Sequence, residues 1–181
     1  MKQISLLTES DTNILFALQE FFKEKNVDVF KTNSPLEAME ADVCVVDNYN
    51  GFISSEILQG TKFIKIHSSL LPAFDCETPI QEAFKAGVKV TGVTVCYLKE
   101  DFSNGTIIAQ YPIFIDYTNT IDDIEEEIFK VKQKLCPFVV QTVLEDTVFC
   151  FDMLLKQNSC GGCGKCGTKN ISYCQLTPTT C

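Results

Sequence analysis

Histidine occurs once in this 181-residue chain and tryptophan not at all, so any imidazole chemistry falls to His67. Basic residues are scarce as well: 15 stand against 24 acidic ones, for a formal net charge of −9, and they form no cluster. That balance offers no footprint for a nucleic-acid backbone or an anionic membrane, and neither is expected as a partner. No apolar run approaches the length of a membrane span, and residues 1–9 turn polar too soon for a secretory leader, so a cytoplasmic protein is expected. Internal repeats are lacking. What is present is 45% hydrophobic residues, enough for one substantial core and an appendage but not for two full domains.

Cysteine is the abundant exception, with 10 in the chain. Cys44, Cys76, Cys96, Cys136 and Cys150 are spread through the body, and those in apolar runs (Cys44, Cys96 and Cys150) read as buried small hydrophobes. Cys160, Cys163, Cys166, Cys174 and Cys181 crowd the C-terminal segment. Without a leader, such a cluster points to metal before disulfides. Cys160-Gly161-Gly162-Cys163-Gly164-Lys165-Cys166 is C-x2-C-x2-C, and its glycines allow a tight wrap that turns several thiolates to one centre. Four thiolates suit a [4Fe-4S] cluster or tetrahedral zinc, and three at this spacing favour iron–sulfur. Cys160, Cys163 and Cys166 are the expected ligands, with Cys174 as the fourth and Cys181 in reserve. The motif alone leaves electron transfer, a structural staple and a redox sensor open. The expected division is a globular domain over 1–156 and a cysteine-rich metal-binding tail over 157–181.

The body alternates strand and helix. Gln3 to Leu7 predicts a strand, and Thr12 to Lys23 a helix with Ile14, Leu15, Leu18, Phe21 and Phe22 on its apolar side. Val27 to Lys31 is a second strand, Ser34 to Ala41 a short helix with Pro35 in its first turn, and Asp42 to Asp47 a β-branched run suited to burial on both faces. A helix over 54–59 leads to the strand Lys62 to His67. Four strands alternating with helices predict a parallel sheet. Thr78-Pro79 then opens a helix that ends at Gly87. Strands follow at 91–98 and 106–115, and Asn104-Gly105 between them predicts a hairpin loop with antiparallel pairing. Asn119-Thr120 caps a helix over 121–135, expected to break at Pro137 and resume to about Phe149 or beyond. Its acidic start, Asp122, Asp123, Glu125, Glu126 and Glu127, reads as a solvated face favoured by the helix dipole.

One stretch carries chemistry. Phe63-Ile64-Lys65-Ile66-His67-Ser68-Ser69-Leu70-Leu71-Pro72 is an alternating strand that ends in the histidine and turns at a proline. Lys65 and His67 are two apart, so their side chains share a face where the strand ends, which is how sites form at the carboxyl edge of a parallel sheet. The plain alternatives are a hydrogen-bonded histidine at a strand end and a solvated or salt-bridged lysine.

Ile66-His67-Ser68-Ser69-Leu70-Leu71-Pro72, Lys89-Val90-Thr91-Gly92-Val93-Thr94-Val95 and Gly105-Thr106-Ile107-Ile108-Ala109-Gln110, in this order and spacing, resemble the catalytic core of the folate-dependent formyltransferases. Asn119-Thr120 and Leu135-Cys136-Pro137 fit the same pattern. The resemblance implies a three-layer α/β fold, mostly parallel and Rossmann-like, with an antiparallel hairpin. It also implies transfer of a formyl group from 10-formyltetrahydrofolate to a small-molecule amine, with Leu70, Leu71, Pro72 and Gly105 placed for the folate. In that family an asparagine, a histidine and an aspartate stabilise the tetrahedral oxyanion and manage the proton. Only the histidine is kept, as His67. Lys65 stands at the asparagine position and Ser103 at the aspartate position, with Asp101 two residues away. Ser103, Asp101 and Asn104 also read as ordinary turn formers. Glu9 and Asp11 stand where a phosphate-cradling glycine turn would be, and their carboxylates would repel phosphate. Altered or reduced transfer is therefore expected. The alternative is a non-catalytic module that binds a folate-like ligand and senses redox state or metal through its tail.

Overall fold

The computed structural model describes residues 1–10, 13–49, 51–99 and 103–147. The element order is β1 (Lys2–Leu7), α1 (Asn13–Phe22), β2 (Val27–Thr32), α2 (Pro35–Ala38), β3 (Val43–Val46), α3 (Ser55–Gly60), β4 (Lys62–His67), α4 (Pro79–Lys85), β5 (Val90–Leu98), β6 (Asn104–Phe114) and α5 (Ile121–Leu144). Asp11, Asp101 and the cysteines at 150, 160, 163, 166, 174 and 181 lie outside the described residues, as does the expected continuation of the last helix to Phe149.

The strands form one six-stranded sheet in the order β2-β1-β3-β4-β5-β6. Pairs β1–β2, β1–β3 and β3–β4 are parallel. Pairs β4–β5 and β5–β6 are antiparallel. The central strands carry continuous apolar runs because both faces are covered. On one face α2 and α3 close over Leu7, Cys44, Val46 and Phe63, with Ala38 and Ile53 in the same cluster. On the other, α1 and α5 pack together, and α5 buries Ile124, Ile128, Cys136, Val139, Val140 and Val143 at roughly one-turn spacing. The order reverses between β1 and β3, and ligands bind at the carboxyl edge beside such a switch point. His67 ends β4, one strand further along that edge.

Several ends follow the local chemistry. Gly87 has φ of 65°, the left-handed region open to glycine, and it closes α4 with Gly87 N–H bonded to Phe84 O at 3.0 Å and Val88 N–H to Ala83 O at 3.4 Å. Thr120 starts α5 in a capping box, accepting from Asp123 N–H while the Asp123 carboxylate accepts from Thr120 N–H. At the other end of α5, the carbonyls of Leu144 and Val143 accept from Lys2 and Lys62, which complements the negative end of the helix.

Three expectations are corrected. The last helix does not break at Pro137: α5 runs unbroken through it to Leu144. Proline removes one backbone donor, and the buried row of Cys136, Val139, Val140 and Val143 on either side holds the helix across that gap. Asn104 and Gly105 are the first residues of β6, with Asn104 paired to Leu98, and are not the loop itself. A Cβ on Gly105 would lie 2.7 Å from the Tyr97 carbonyl oxygen, so glycine serves strand approach there. The helix after Ser34 ends at Ala38, short of Ala41.

Candidate functional site

The residues after β4 fold into a braced loop over the end of the sheet. Thr94, opposite His67 on β5, donates to Ser69 O at 2.6 Å and accepts from Leu71 N–H at 3.0 Å. Gln110 of β6 donates to Leu71 O at 2.9 Å and to Thr94 Oγ1 at 3.1 Å. Ser69 Oγ donates to Ala73 O at 2.6 Å, and Phe74 is held at φ of 54°, a region uncommon for a residue with a side chain. A Cβ on Gly92 would lie 2.1 Å from Tyr111 O and 2.8 Å from Leu70 Cδ2, so this glycine lets β6 and the loop close on β5. Of the residues expected to hold a ligand, Leu71 is buried, Leu70 half-buried, and Pro72 exposed after a cis peptide bond. Gly105 is half-buried at the start of the neighbouring β6.

His67 is buried, and its Nε2 lies 3.1 Å from the Phe74 carbonyl oxygen. A carbonyl only accepts, so Nε2 carries the proton and the neutral ring keeps its lone pair on Nδ1. Burial is the main cause that holds the imidazole below its ordinary value. The Phe74 bond opposes this, the Lys65 and Lys132 charges lower it further, and Asp75 raises it. The balance favours a neutral ring at neutral pH.

Lys65 is half-buried and stands in register with Val46 on one side and Cys96 on the other. These neighbours place its stem along the margin of the apolar cluster. Lys65 and His67, two apart on β4, share a face, and the Lys65 charge lowers both the imidazole and the Cys96 thiol. Ser103 is exposed in the turn between β5 and β6, where its carbonyl accepts from Lys99 N–H at 3.0 Å.

Two groups escaped the sequence reading. Asp47, directly after β3, and Lys132 of α5 form a buried ion pair at 2.9 Å, with side chains only 2% and 8% exposed. The signal was present: Ile124, Ile128, Lys132 and Cys136 recur every four residues, so the lysine sits on the core stripe. The second is Asp75 in the braced loop, which accepts from Asn104 Nδ2 at 2.7 Å. No sequence pattern marks it. At the phosphate-cradle position Thr8 is buried and accepts from Ser10 N–H, while Glu9 is exposed and its charge raises the Tyr49 hydroxyl after burial has done so. A depression lined by Met39, Asp42, Gly60 and Lys62 lies at the opposite, amino-terminal edge of β3 and β4, away from this group. Among the described residues no cluster could hold a metal ion, and no helix is long and apolar enough to cross a membrane.

Comparison with known proteins gives a consistent picture. The Formyl transferase family model matches residues 4–140. Phosphoribosylglycinamide formyltransferase of Bacillus subtilis (strain 168) is 41% identical over 111 residues, covering 60% of this chain and 57% of its own. Formyltetrahydrofolate deformylase of Escherichia coli (strain K12) is 30% identical over 123 residues, covering 67% of this chain and 44% of its own. The chain thus spans about half the length of these curated relatives. Among solved structures, glycinamide ribonucleotide transformylase 1 from Geobacillus kaustophilus superposes with a TM-score of 0.64 at 26% identity, covering 80% of this chain and 99% of its own. Phosphoribosylglycinamide formyltransferase from Anaplasma phagocytophilum shares the fold, with a TM-score of 0.70 at 20% identity over 82% of this chain and 93% of its own.

Proposed function

The chain belongs to the Formyl transferase family, and from that premise we propose that it moves the formyl group of 10-formyltetrahydrofolate to a small-molecule amine, more slowly than an enzyme with the full catalytic set. The observation that carries this reading is the pairing of Lys65 and His67 on one face at the carboxyl end of β4, with the imidazole neutral and its Nε2 already committed to Phe74.

The amine attacks the formyl carbon, and a C–N bond forms as the carbonyl oxygen gains negative charge. Lys65, at the position of the family's asparagine, donates an ammonium hydrogen to that oxygen. Nδ1 of His67 accepts the proton the amine releases. Collapse of the intermediate breaks the bond from the formyl carbon to the folate nitrogen, which takes a proton, leaving a formamide and tetrahydrofolate. Leu70, Leu71, Pro72 and Gly105 border the place the resemblance gives to the folate. A long lysine is less pre-oriented than an amide, and loss of one oxyanion donor alone costs about 2.7–4 kcal/mol, so a slow reaction is expected. Glu9 and Asp11, standing where a phosphate-cradling turn would be, weigh against an acceptor held by its phosphate. At the other end of the chain, the spacing of Cys160, Cys163, Cys166 and Cys174 supports a metal-binding tail, with iron–sulfur ahead of zinc. Analysis for iron, sulfide and zinc after anaerobic purification tests that assignment.

Calorimetric titration with 10-formyltetrahydrofolate, joined to an assay for tetrahydrofolate with and without a panel of primary amines, tests the reaction. Binding with amine-dependent turnover that is lost in His67→Ala supports it. Absence of binding sinks it, binding without turnover favours the non-catalytic module, and release of formate without amine redirects it to hydrolysis.

A further inference from the structure

The family position for the carboxylate is Ser103, yet the site is not without an acid. We propose that Asp75 is the carboxylate partner of His67, delivered by the loop after β4 and fixed in place by Asn104 at the start of β6. What the pair would do in formyl transfer rests on the function proposed above; its existence does not.

The geometry comes from four hydrogen bonds. Phe74 O takes the Nε2–H of His67 at 3.1 Å, and Asp75, the next residue in the chain, is exposed with its charge acting on the imidazole. Cys76 N–H bonds back to Phe74 O at 3.0 Å and Ser69 Oγ donates to Ala73 O at 2.6 Å, so the loop is closed on both sides of Asp75. Asn104 Nδ2 then donates to Asp75 Oδ1 at 2.7 Å, tying the carboxylate to the strand that follows Ser103. The Oδ1 of the same amide lies 3.7 Å from Cys96 Sγ, across from Lys65 in register, so Asn104 is itself oriented.

Among the described residues, the charged and titratable groups acting on His67 come from each neighbouring element. Lys65 is on its own strand, Asp75 on the loop and Lys132 on α5. Lys132 is partly neutralised by Asp47. Cys96 on β5 stays a thiol because burial raises it. Asp75, exposed on the loop, is therefore the carboxylate whose charge raises the imidazole where the Lys65 and Lys132 charges lower it. Its role is positioning: it stabilises the imidazolium that forms when Nδ1 takes a proton, while touching neither substrate nor reacting atoms in the proposal.

The single histidine makes the test unambiguous in tag-free, full-length protein. The proton NMR signals of the His67 ring are followed against pH for the parent and for Asp75→Asn, Asp75→Glu, Asn104→Ala and the distant surface control Asp28→Asn. Removing the carboxylate is expected to lower the titration midpoint, Asp75→Glu to restore it, and Asn104→Ala to fall between. The control should match the parent, and circular dichroism should show all five folded alike. An unchanged midpoint in Asp75→Asn, or an equal fall in the Asp28→Asn control, overturns the proposal. If transfer is present, the rising limb of its pH profile should move to lower pH in Asp75→Asn by the same interval. Because the titration needs no substrate, absence of formyl transfer would overturn the functional reading and leave this one standing.

Discussion

Replacing Lys132 by methionine keeps most of the length and volume of the side chain and removes its charge. The consequence falls on Asp47, whose side chain is 2% exposed and whose Oδ1 has Lys132 Nζ at 2.9 Å. Water cannot replace the lost ammonium without opening the contact between α5 and the sheet, so the variant must bury an unpaired carboxylate or neutralise it. Breaking a buried pair from one side costs about 3–5 kcal/mol. For a domain of this size that lowers the melting temperature by roughly 6–20 °C. Urea unfolding followed by far-UV circular dichroism measures it, with the slope checked for two-state behaviour. The double variant Asp47→Leu/Lys132→Met is the discriminating control. Exchanging a whole buried pair for apolar groups is often neutral or stabilising, by about 1–4 kcal/mol, so the double variant should recover most of the loss. A loss below about 1 kcal/mol in the single variant, the level of an exposed pair, would refute the argument. So would a double variant as unstable as the single one. The same change should raise the His67 titration midpoint, since the Lys132 charge lowers it.

Other outcomes follow from the same physics. Burial pushes the Cys44 thiol up to about 12 and that of Cys136 still higher, whereas Cys76 is exposed. Brief maleimide treatment of native protein should therefore label Cys76 ahead of Cys44, Cys96 and Cys136, with all four reacting in urea; peptide mass mapping that finds Cys136 modified as fast as Cys76 would contradict this. His67 is held below its ordinary value of 6.5 in the folded chain. The unfolded chain then binds the proton first, so the His67 contribution to stability should fall as pH drops through 6.5 and level off below the folded midpoint. His67→Gln, measured by urea titration between neutral and mildly acid pH, should flatten that part of the curve. Gly92→Ala drives a methyl group to within 2.1 Å of Tyr111 O. It should destabilise the domain by at least the 1–3 kcal/mol typical of overpacking, and a melting temperature equal to the parent's would show that β5 and β6 part freely.

The parts of the fold that rest on local periodicity are legible in the sequence. Alternation at 63–67, the β-branched run at 43–46 and the turn at Gly87 each depend on neighbours a few residues away, and each appears as expected. Pro137 was misread because local propensity makes proline a helix breaker, while burial of the residues around it comes from the sheet that α5 covers. Asn104-Gly105 was misread as a turn for the same reason: the pairing of Asn104 with Leu98 is a register decision made between strands.

The sequence by itself determined the α/β architecture, the family and the placement of Lys65 and His67 on one strand face, because these follow from hydrophobic period and from motifs contiguous in the chain. Only the tertiary structure decided which nitrogen of His67 carries the proton and which charges act on it. Phe74 and Asp75 act on the ring from a loop and Lys132 from a helix. A contact between residues 85 positions apart, such as Asp47 with Lys132, exists only once the sheet and α5 have closed on each other.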